Sequence, residues 1–351
     1  MRVFRVAMPA VGLLFLGYLI GRLGPEEIWR HLGALGWAFA VVLLVAFSWH
    51  VTNTVAWGFA FLPGAFRPRL RTLFAAKLAG EAVNQLTPLA NLGGEPLKAY
   101  LLRRESPASR GLASVVVNKA AQVLVGLFFS AVGLSLVLLY WRLPLTVPLS
   151  VQAGLAALLG LGALLTGILW RKRLRLFSSL LVALSHLGVR MDLLERGLSH
   201  AVRTDRQIGR FYQEHRGRFV LVLLCHGAGW LLGAVETWVI LLALGAHVDF
   251  EIAFLITSLT TIINGLFFFM PSNIGVLEGG QVFLVATLGL DPAMGLSMGI
   301  AKRMRKVFYI SVGWLLLTQL SRGALEAGLA RARRAAAQAS PPLAQSKATY
   351  R

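Results

Sequence analysis

Cationic side chains lie inside segments of the sequence that are otherwise apolar. Lys119 lies in the apolar run 111–140. A later run, 293–320, contains four more: Lys302, Arg303, Arg305 and Lys306. Each unpaired charge at the centre of a membrane helix costs about 2.5–3.5 kcal/mol. These cations either pair with an acid, for which Glu236 is the candidate, or line a cavity that binds an anionic group. For Lys119, near the end of its run, extension to the membrane surface is a third option.

Two segments of the sequence, one in each half of the chain, share one pattern. In each, a glutamate follows a proline by seven positions: Pro88 with Glu95, and Pro271 with Glu278. The displacement along the chain that carries position 88 onto position 271, here called the repeat shift, also places Lys119 opposite Lys302. Glycines follow both prolines: Gly93, Gly94, Gly275 and Gly279. Four amide side chains lie in or beside the two segments: Asn84, Asn91, Asn264 and Asn273.

This pattern has a chemical use within a membrane. Proline breaks a helix, and the broken ends offer free backbone N–H groups and a positive dipole end to an anionic group. The glycines let a ligand approach the backbone, or alternatively let two helices pack closely. Glu95 and Glu278 could pair with the cations, bind a ligand amine or carry a proton. The basic and amide residues are therefore candidates to bind a lipid head group.

The composition predicts an all-α membrane protein. Of the 351 residues, 56% are apolar and 14% are charged, so the apolar share is higher and the charged share lower than in soluble domains. The mean hydropathy of +0.68 agrees with this. Apolar runs of spanning length predict about six crossings: 3–21, 35–62, 111–140, 145–170, 219–245 and 293–320. A membrane domain over 1–325 and a disordered cytoplasmic tail over 326–351 are expected.

Two further apolar stretches, 72–102 and 252–290, are interrupted near their middles by proline, glycine and asparagine. We interpret them as re-entrant helical hairpins, because a simple crossing by either would invert the sorting of basic loops downstream. The hairpins would enter from opposite sides. Repeat one, about 35–140, and repeat two, about 219–320, would then form an inverted repeat, as in many transporters.

The formal charge of +20 comes from basic residues between the apolar runs, which favours cytoplasmic loops facing anionic lipid over nucleic-acid binding. Both termini are therefore predicted to be cytoplasmic. The basic segment 171–218, with helical spacing of Leu and Val, is predicted to be an amphipathic helix on the membrane surface or a solvated linker helix. The excess of arginine over lysine, with much Ala, Leu and Gly, is typical of GC-rich bacterial genomes and indicates the cytoplasmic (inner) membrane.

At these residues the sequence resembles the membrane region of lysylphosphatidylglycerol synthases and related flippase-like membrane proteins, including those found with hopanoid biosynthesis. The stretches 84–103 and 271–279, with Arg303, carry the resemblance, which extends over roughly 10–320. It implies movement of lipids between leaflets. Asn118 stands where the family often has an acid before the cation, and the soluble transferase domain of the lysyl-transferring members does not follow the last run, so the resemblance implies no enzyme activity.

The leading hypothesis is therefore a translocase for an anionic or aminoacylated phospholipid or a related lipid. The sequence has no phosphate-binding loop, so this translocase is not expected to hydrolyse ATP. An intramembrane enzyme acting on a lipid-linked substrate is the alternative, although the sequence has no Asp-x-Asp or His-Glu-x-x-His metal motif. A third hypothesis is an accessory subunit of lipid or hopanoid biosynthesis that positions a lipid-modifying enzyme. Membrane lipids are the expected partners, and no cofactor or metal is expected.

Overall fold

The structure is a computed structural model that describes residues 21, 25–64, 68–86, 93–103, 105–140, 191–267 and 273–339, with a few positions between 153 and 179. Within these ranges every regular element is a helix. Ten helices have defined bounds: α1 Pro25–Leu35, α2 Ala38–Phe59, α3 Leu70–Leu86, α4 Glu95–Leu101, α5 Ala108–Tyr140, α6 Met191–Glu214, α7 Arg216–Ala243, α8 Phe250–Leu266, α9 Val276–Thr287 and α10 Pro292–Ala339.

Three of these helices are long and apolar enough to cross a membrane: Ala38–Phe59, Ala108–Val137 and Arg216–Ala243. They coincide with three of the six predicted crossings. α10 covers the predicted run 293–320, and the four cations within that run distinguish it from the other three helices. The run 3–21 lies outside the described residues except at position 21, and 145–170 is described at only a few positions. The chain is thus a membrane protein whose described residues form helices and no strands.

The two interrupted stretches are each a pair of helices. α3 and α4 are separated by positions 87–94, and α8 and α9 by positions 267–275. Two of the predicted break residues, Pro88 and Pro271, lie outside the described residues, as does one predicted amide residue, Asn91. The described residues Gly93, Gly94 and Gly275 lie in turns, so each pair has a break within the stretch where the sequence predicts one.

The basic segment contains an amphipathic helix, α6. Its apolar side, with Ile208 and Phe211, packs into a core that also includes residues of α5 and α7. Asp205, also on α6, accepts hydrogen bonds from the backbone amides of Phe177 (3.0 Å) and Ser178 (2.9 Å). The apolar side of α6 is therefore covered by protein at these positions, unlike that of a solvated linker helix.

Two segments differ from the sequence prediction. The sequence predicts a disordered tail from 326, whereas α10 continues to Ala339, because alanine, leucine and arginine are strong helix formers. The apolar pattern does not predict α1, and it assigns the positions of this helix to a loop and to the start of a crossing. Proline at its first position and glutamates in its first turn are the signals of a helix start that could have identified it.

The described helices pack around two apolar cores. The first core includes Trp57, Leu73, Leu102 and Val115, from α2, α3, the end of α4 and α5. The second core includes Ile240, Ile256, Val285 and Met298, from α7, α8, α9 and α10. Each of these four residues of the first core is related by the repeat shift to one of the four residues of the second core, in the order given. The spacing seen in the proline and glutamate motifs thus also relates the packing of the two halves.

The pairing of helices follows the same relation. α2 packs most extensively on α7, its own counterpart under the repeat shift, whereas α3 packs on α10 and α5 packs on α8. Under the repeat shift α3 corresponds to α8 and α5 to α10, so the contact of α3 with α10 is equivalent to the contact of α8 with α5. Small residues allow close contact between helices: a Cβ at Gly133 of α5 would meet Ser258 of α8, and one at Gly313 of α10 would meet the Leu78 carbonyl of α3.

Gly94 is required by packing at the start of α4. A Cβ at this position would meet the backbone carbonyl of Gly80 on α3, and a Cβ at Gly80 would in turn meet the side chain of Lys98. We expect Gly94→Ala to lower the stability of the purified protein by about 1–3 kcal/mol, because backbone cannot move aside as a flexible side chain can. Thermal unfolding in detergent measures this.

The matched control for Gly94→Ala is Gly227→Ala in α7, where an added Cβ meets nothing within 4 Å. Its melting temperature should be unchanged or slightly higher, since alanine favours a helix more than glycine does. Equal melting temperatures for Gly94→Ala and the unaltered protein would contradict the close approach of α3 and α4.

Candidate functional site

A cavity of about 430 Å³ lies between the two cores. Along α2, Val42 belongs to the second core, Trp49 and His50 line the cavity, and Trp57 belongs to the first core. Seven other helices contribute lining residues: α3, α4, α5, α7, α8, α9 and α10. The cavity therefore occupies the middle of the helix bundle, at the level where both helix interruptions begin and end.

The wall of this cavity is strongly charged. Eight lining residues carry a formal charge: Glu81, Glu95, Lys98, Lys119, Glu236, Lys302, Arg305 and Lys306. Five of them are cations and three are carboxylates, so the described wall has an excess of positive charge. Such a set of side chains is costly among apolar helices unless it is paired or faces water or a ligand.

Most of the predicted site residues line this one cavity. Seven of them do so: Asn84, Glu95, Lys119, Glu236, Asn264, Asn273 and Lys302. Glu278 and Arg303 do not line it and instead form an ion pair with each other. Of the predicted break residues that the structure describes, Gly93 and Gly94 precede α4, Gly275 precedes α9, and Gly279 lies in the first turn of α9.

At the first interruption, Asn84 joins the end of α3 to the start of α4. Its Oδ1 accepts the Gly94 amide N–H at 2.5 Å, and its Nδ2 donates to Glu95 Oε1 at 3.2 Å. Lys98 Nζ lies 2.8 Å from the same Glu95 oxygen. Asn84 is therefore held by the protein rather than free to bind a head group. The charge of Glu95 is matched by a lysine one turn further along α4.

At the second interruption, Glu278 has the corresponding role. The Gly275 amide donates to Glu278 Oε2 at 2.9 Å, and the guanidinium of Arg303 on α10 binds Oε1. Gly275 adopts φ +79°, a left-handed conformation that glycine tolerates. Asn273 Nδ2 donates to Asn264 Oδ1 at 2.9 Å, which links the start of the α9 segment to α8.

Three further cations, two on α10 and one on α5, have different partners. Arg305 Nη1 donates to Glu236 Oε2 at 2.8 Å, so the pairing expected of Glu236 with the basic cluster is present. Lys302 Nζ donates to the hydroxyl of Thr237 at 2.9 Å, and Lys119 Nζ donates to Gln122 Oε1 at 3.2 Å. These two lysines hydrogen-bond neutral groups, and among the described side chains they form no ion pair.

One charged cluster in the wall was missed by the sequence reasoning. Lys77 Nζ lies 2.7 Å from Glu81 Oε1 and 2.9 Å from His50 Nδ1. Tyr309 packs against the His50 ring, with centroids 4.4 Å apart. Lys77 and Glu81 are four positions apart within an apolar helix, the spacing of neighbours on one helix face, and this signal could have identified the pair.

Asn118, which replaces an acid that the resemblance implies, has its own partner. Its Oδ1 lies 3.0 Å from His226 Nε2 on α7. The position therefore joins α5 to α7 through neutral groups. Lys119 beside it gains no carboxylate from this position, as expected from the substitution.

The family model of the lysylphosphatidylglycerol synthase TM region matches residues 5–313. The chain belongs to this family. A UPF0104 membrane protein from Methanothermobacter thermautotrophicus (strain Delta H) is 23% identical over 317 residues, which cover 86% of this chain and 90% of that protein. No solved structure gives a significant match. The match extends across both cores, both pairs of short helices and the cavity, and it ends within α10.

We expect the pair of Glu278 and Arg303 to be important for stability. The Glu278 side chain is fully buried, so Arg303→Met would leave a carboxylate without its cation. The expected loss is about 3–5 kcal/mol of unfolding free energy, by the behaviour of other buried ion pairs. Replacing both residues, in Glu278→Gln with Arg303→Met, should recover part of the loss, as measured by thermal unfolding in detergent.

The control for this pair is Arg210→Met, which breaks an exposed ion pair between Arg210 and Glu214 on α6. This change should leave the melting temperature nearly unchanged, because an exposed ion pair contributes little to stability. If Arg303→Met were as stable as Arg210→Met, the Glu278 carboxylate would not depend on Arg303 as argued.

Proposed function

We propose that this chain is a lipid translocase, which moves a phospholipid, anionic or aminoacylated, or a related lipid between membrane leaflets. The observation that carries the proposal is the cavity in the middle of the bundle, with five cations and three carboxylates in its wall. A phospholipid head group needs such an environment, because its phosphate cannot cross the apolar part of a bilayer without charge compensation. The acyl chains would remain in the surrounding lipid.

The proposed arrangement in the membrane is the inverted repeat. α2 to α5 would form repeat one and α7 to α10 repeat two, with the pairs α3/α4 and α8/α9 as re-entrant hairpins. The repeat shift that relates the two cores and the helix contacts supports two structurally equivalent halves. Equivalent halves of opposite orientation would place one site midway between two leaflets, accessible to each in turn.

We further propose the cytoplasmic (inner) membrane as the location, with both termini cytoplasmic and about six crossings in total. The basic residues of α6 and of the end of α10 would then face the anionic lipids of the cytoplasmic leaflet. The chain would act as a transporter rather than as an enzyme, with lipid as its partner. A lipid-modifying enzyme would supply or consume the transported lipid.

Translocation is measured with purified protein in phosphatidylcholine vesicles that contain a trace of phosphatidylglycerol labelled on its acyl chain. Dithionite bleaches the label in the outer leaflet, so further bleaching reports movement from the inner leaflet. We expect the protein to raise this rate at least about tenfold over protein-free vesicles. Rates equal to those of protein-free vesicles for several anionic head groups would contradict the proposal. A lipid-modifying activity or transport only with a co-purified subunit would favour the other two functions.

The double variant Lys302→Met with Lys306→Met should slow translocation about tenfold or more. It removes two cations from the cavity wall, each able to form a charge-assisted hydrogen bond with phosphate worth roughly 1.5–3 kcal/mol. The control is Arg203→Met on α6, an exposed cation away from the cavity, which should keep the rate of the unaltered protein. Equal translocation rates for the double variant and the control would contradict a role of these lysines in transport.

A further inference from the structure

The carboxylates in the cavity wall are already matched by cations of the chain itself. Glu81 lies 2.7 Å from Lys77, Glu95 lies 2.8 Å from Lys98, and Glu236 lies 2.8 Å from Arg305. One oxygen of Glu236 has no hydrogen-bond partner among the described residues, but the charge of this carboxylate is balanced by Arg305. An amine entering the cavity therefore finds, among the described side chains, no carboxylate that lacks a cation.

The two helix interruptions add no carboxylate to this site. Positions 87–92 read Thr-Pro-Leu-Ala-Asn-Leu, and positions 268–272 read Phe-Phe-Met-Pro-Ser. The residues on either side of them, Asn84 and Glu95 at the first and Asn264 and Asn273 at the second, line the cavity. The sequence between these flanking residues thus supplies neither an acid to hold an amine nor a cation to pair with another acid.

Three lysines in the wall are in the opposite situation. Lys119 and Lys302 hydrogen-bond only neutral side chains, Gln122 and Thr237, and Lys306 has no hydrogen-bond or ion-pair partner among the described residues. Lys302 and Lys306 are also four positions apart on α10, which puts two like charges on one face of the helix. Like charges at this spacing destabilise a helix even in water, and more so among apolar neighbours. An anion between them would remove this repulsion.

We infer that the cavity selects the phosphate group of an anionic lipid and does not select a head-group amine. The inference rests on the proposed function for the identity of the ligand as a lipid, and it narrows that function to one class of substrate. The phosphate would be bound by Lys302 and Lys306 of repeat two, together with Lys119 of repeat one. Phosphatidylglycerol fits this chemistry, whereas an aminoacylated phospholipid brings a cation to a wall whose acids are occupied.

Binding tests the inference without requiring transport. The full chain in neutral detergent is titrated with short-chain phosphatidylglycerol, with its lysyl ester and with sn-glycerol 3-phosphate, and heat or intrinsic fluorescence reports binding. We expect the anionic lipid to bind at least about tenfold more tightly than the lysyl ester. Equal or tighter binding of the lysyl ester overturns the inference. Tighter binding of glycerol 3-phosphate than of the lipid assigns the site to a free phosphate and overturns the lipid part.

A specificity change tests which residues decide the preference. Lys98→Met removes the cation that matches Glu95, which lines the cavity, and should raise the affinity for the lysyl ester relative to phosphatidylglycerol by about tenfold. The matched control, Arg210→Met, frees Glu214 on the exposed surface of α6 and should leave the ratio unchanged. An unchanged ratio in both variants would contradict the role assigned to the matched carboxylates.

The vesicle assay separates the two claims. With the same labelled lipids, faster movement of phosphatidylglycerol than of its lysyl ester is expected. Faster movement of the lysyl ester overturns the inference while retaining translocation. If neither lipid moves but phosphatidylglycerol still binds more tightly than the lysyl ester in detergent, the proposed translocation is contradicted and the phosphate selectivity of the cavity is retained.

Discussion

Charged side chains within a membrane protein must be matched inside the protein, because lipid offers them neither water nor counterions, and this requirement organises the centre of the bundle. Four glutamates of the described helices meet it within the chain, each through one cation: Glu81, Glu95, Glu236 and Glu278. The pairs of Glu236 and Glu278 join α7 and α9 to α10, whereas those of Glu81 and Glu95 lie within α3 and α4. The lysines left over face the cavity, so the same requirement that stabilises the fold leaves an excess of positive charge at its centre.

The two halves meet this requirement in different ways. Glu95 and Glu278 are equivalent under the repeat shift, as are Lys119 and Lys302. Lys98, which pairs with Glu95 from the next turn of α4, corresponds to Gln281 in the second half. Glu278 therefore takes its cation from Arg303 on α10, where the first half has alanine at position 120. Equivalent backbone positions thus carry different pairs, and the cavity wall is chemically asymmetric although the helix packing is repeated.

Much of this centre could be predicted from sequence, because its strongest signals are local. Proline, glycine and glutamate at a fixed spacing indicate both interruptions, and cations within apolar runs identify Lys119 and Lys302, which line one cavity. The partners could not be predicted in the same way. His50 and Lys77 are far apart in sequence and meet only because α2 packs on α3. Which member of the basic cluster meets Glu236 depends on the rotation of α10, since Lys302 and Arg305 lie less than one turn apart.

The central claim, that the basic wall holds the phosphate of an anionic lipid, is tested most directly by native mass spectrometry of the chain released from membranes in a mild detergent. The account predicts that the unaltered protein retains a lipid with a net negative phosphate head group. The variant with methionine substituted at positions 302 and 306 should lose this lipid, whereas Arg210→Met should retain it. Retention of aminoacylated or zwitterionic lipid by the unaltered protein, or equal retention of the anionic lipid by both variants, would contradict the account.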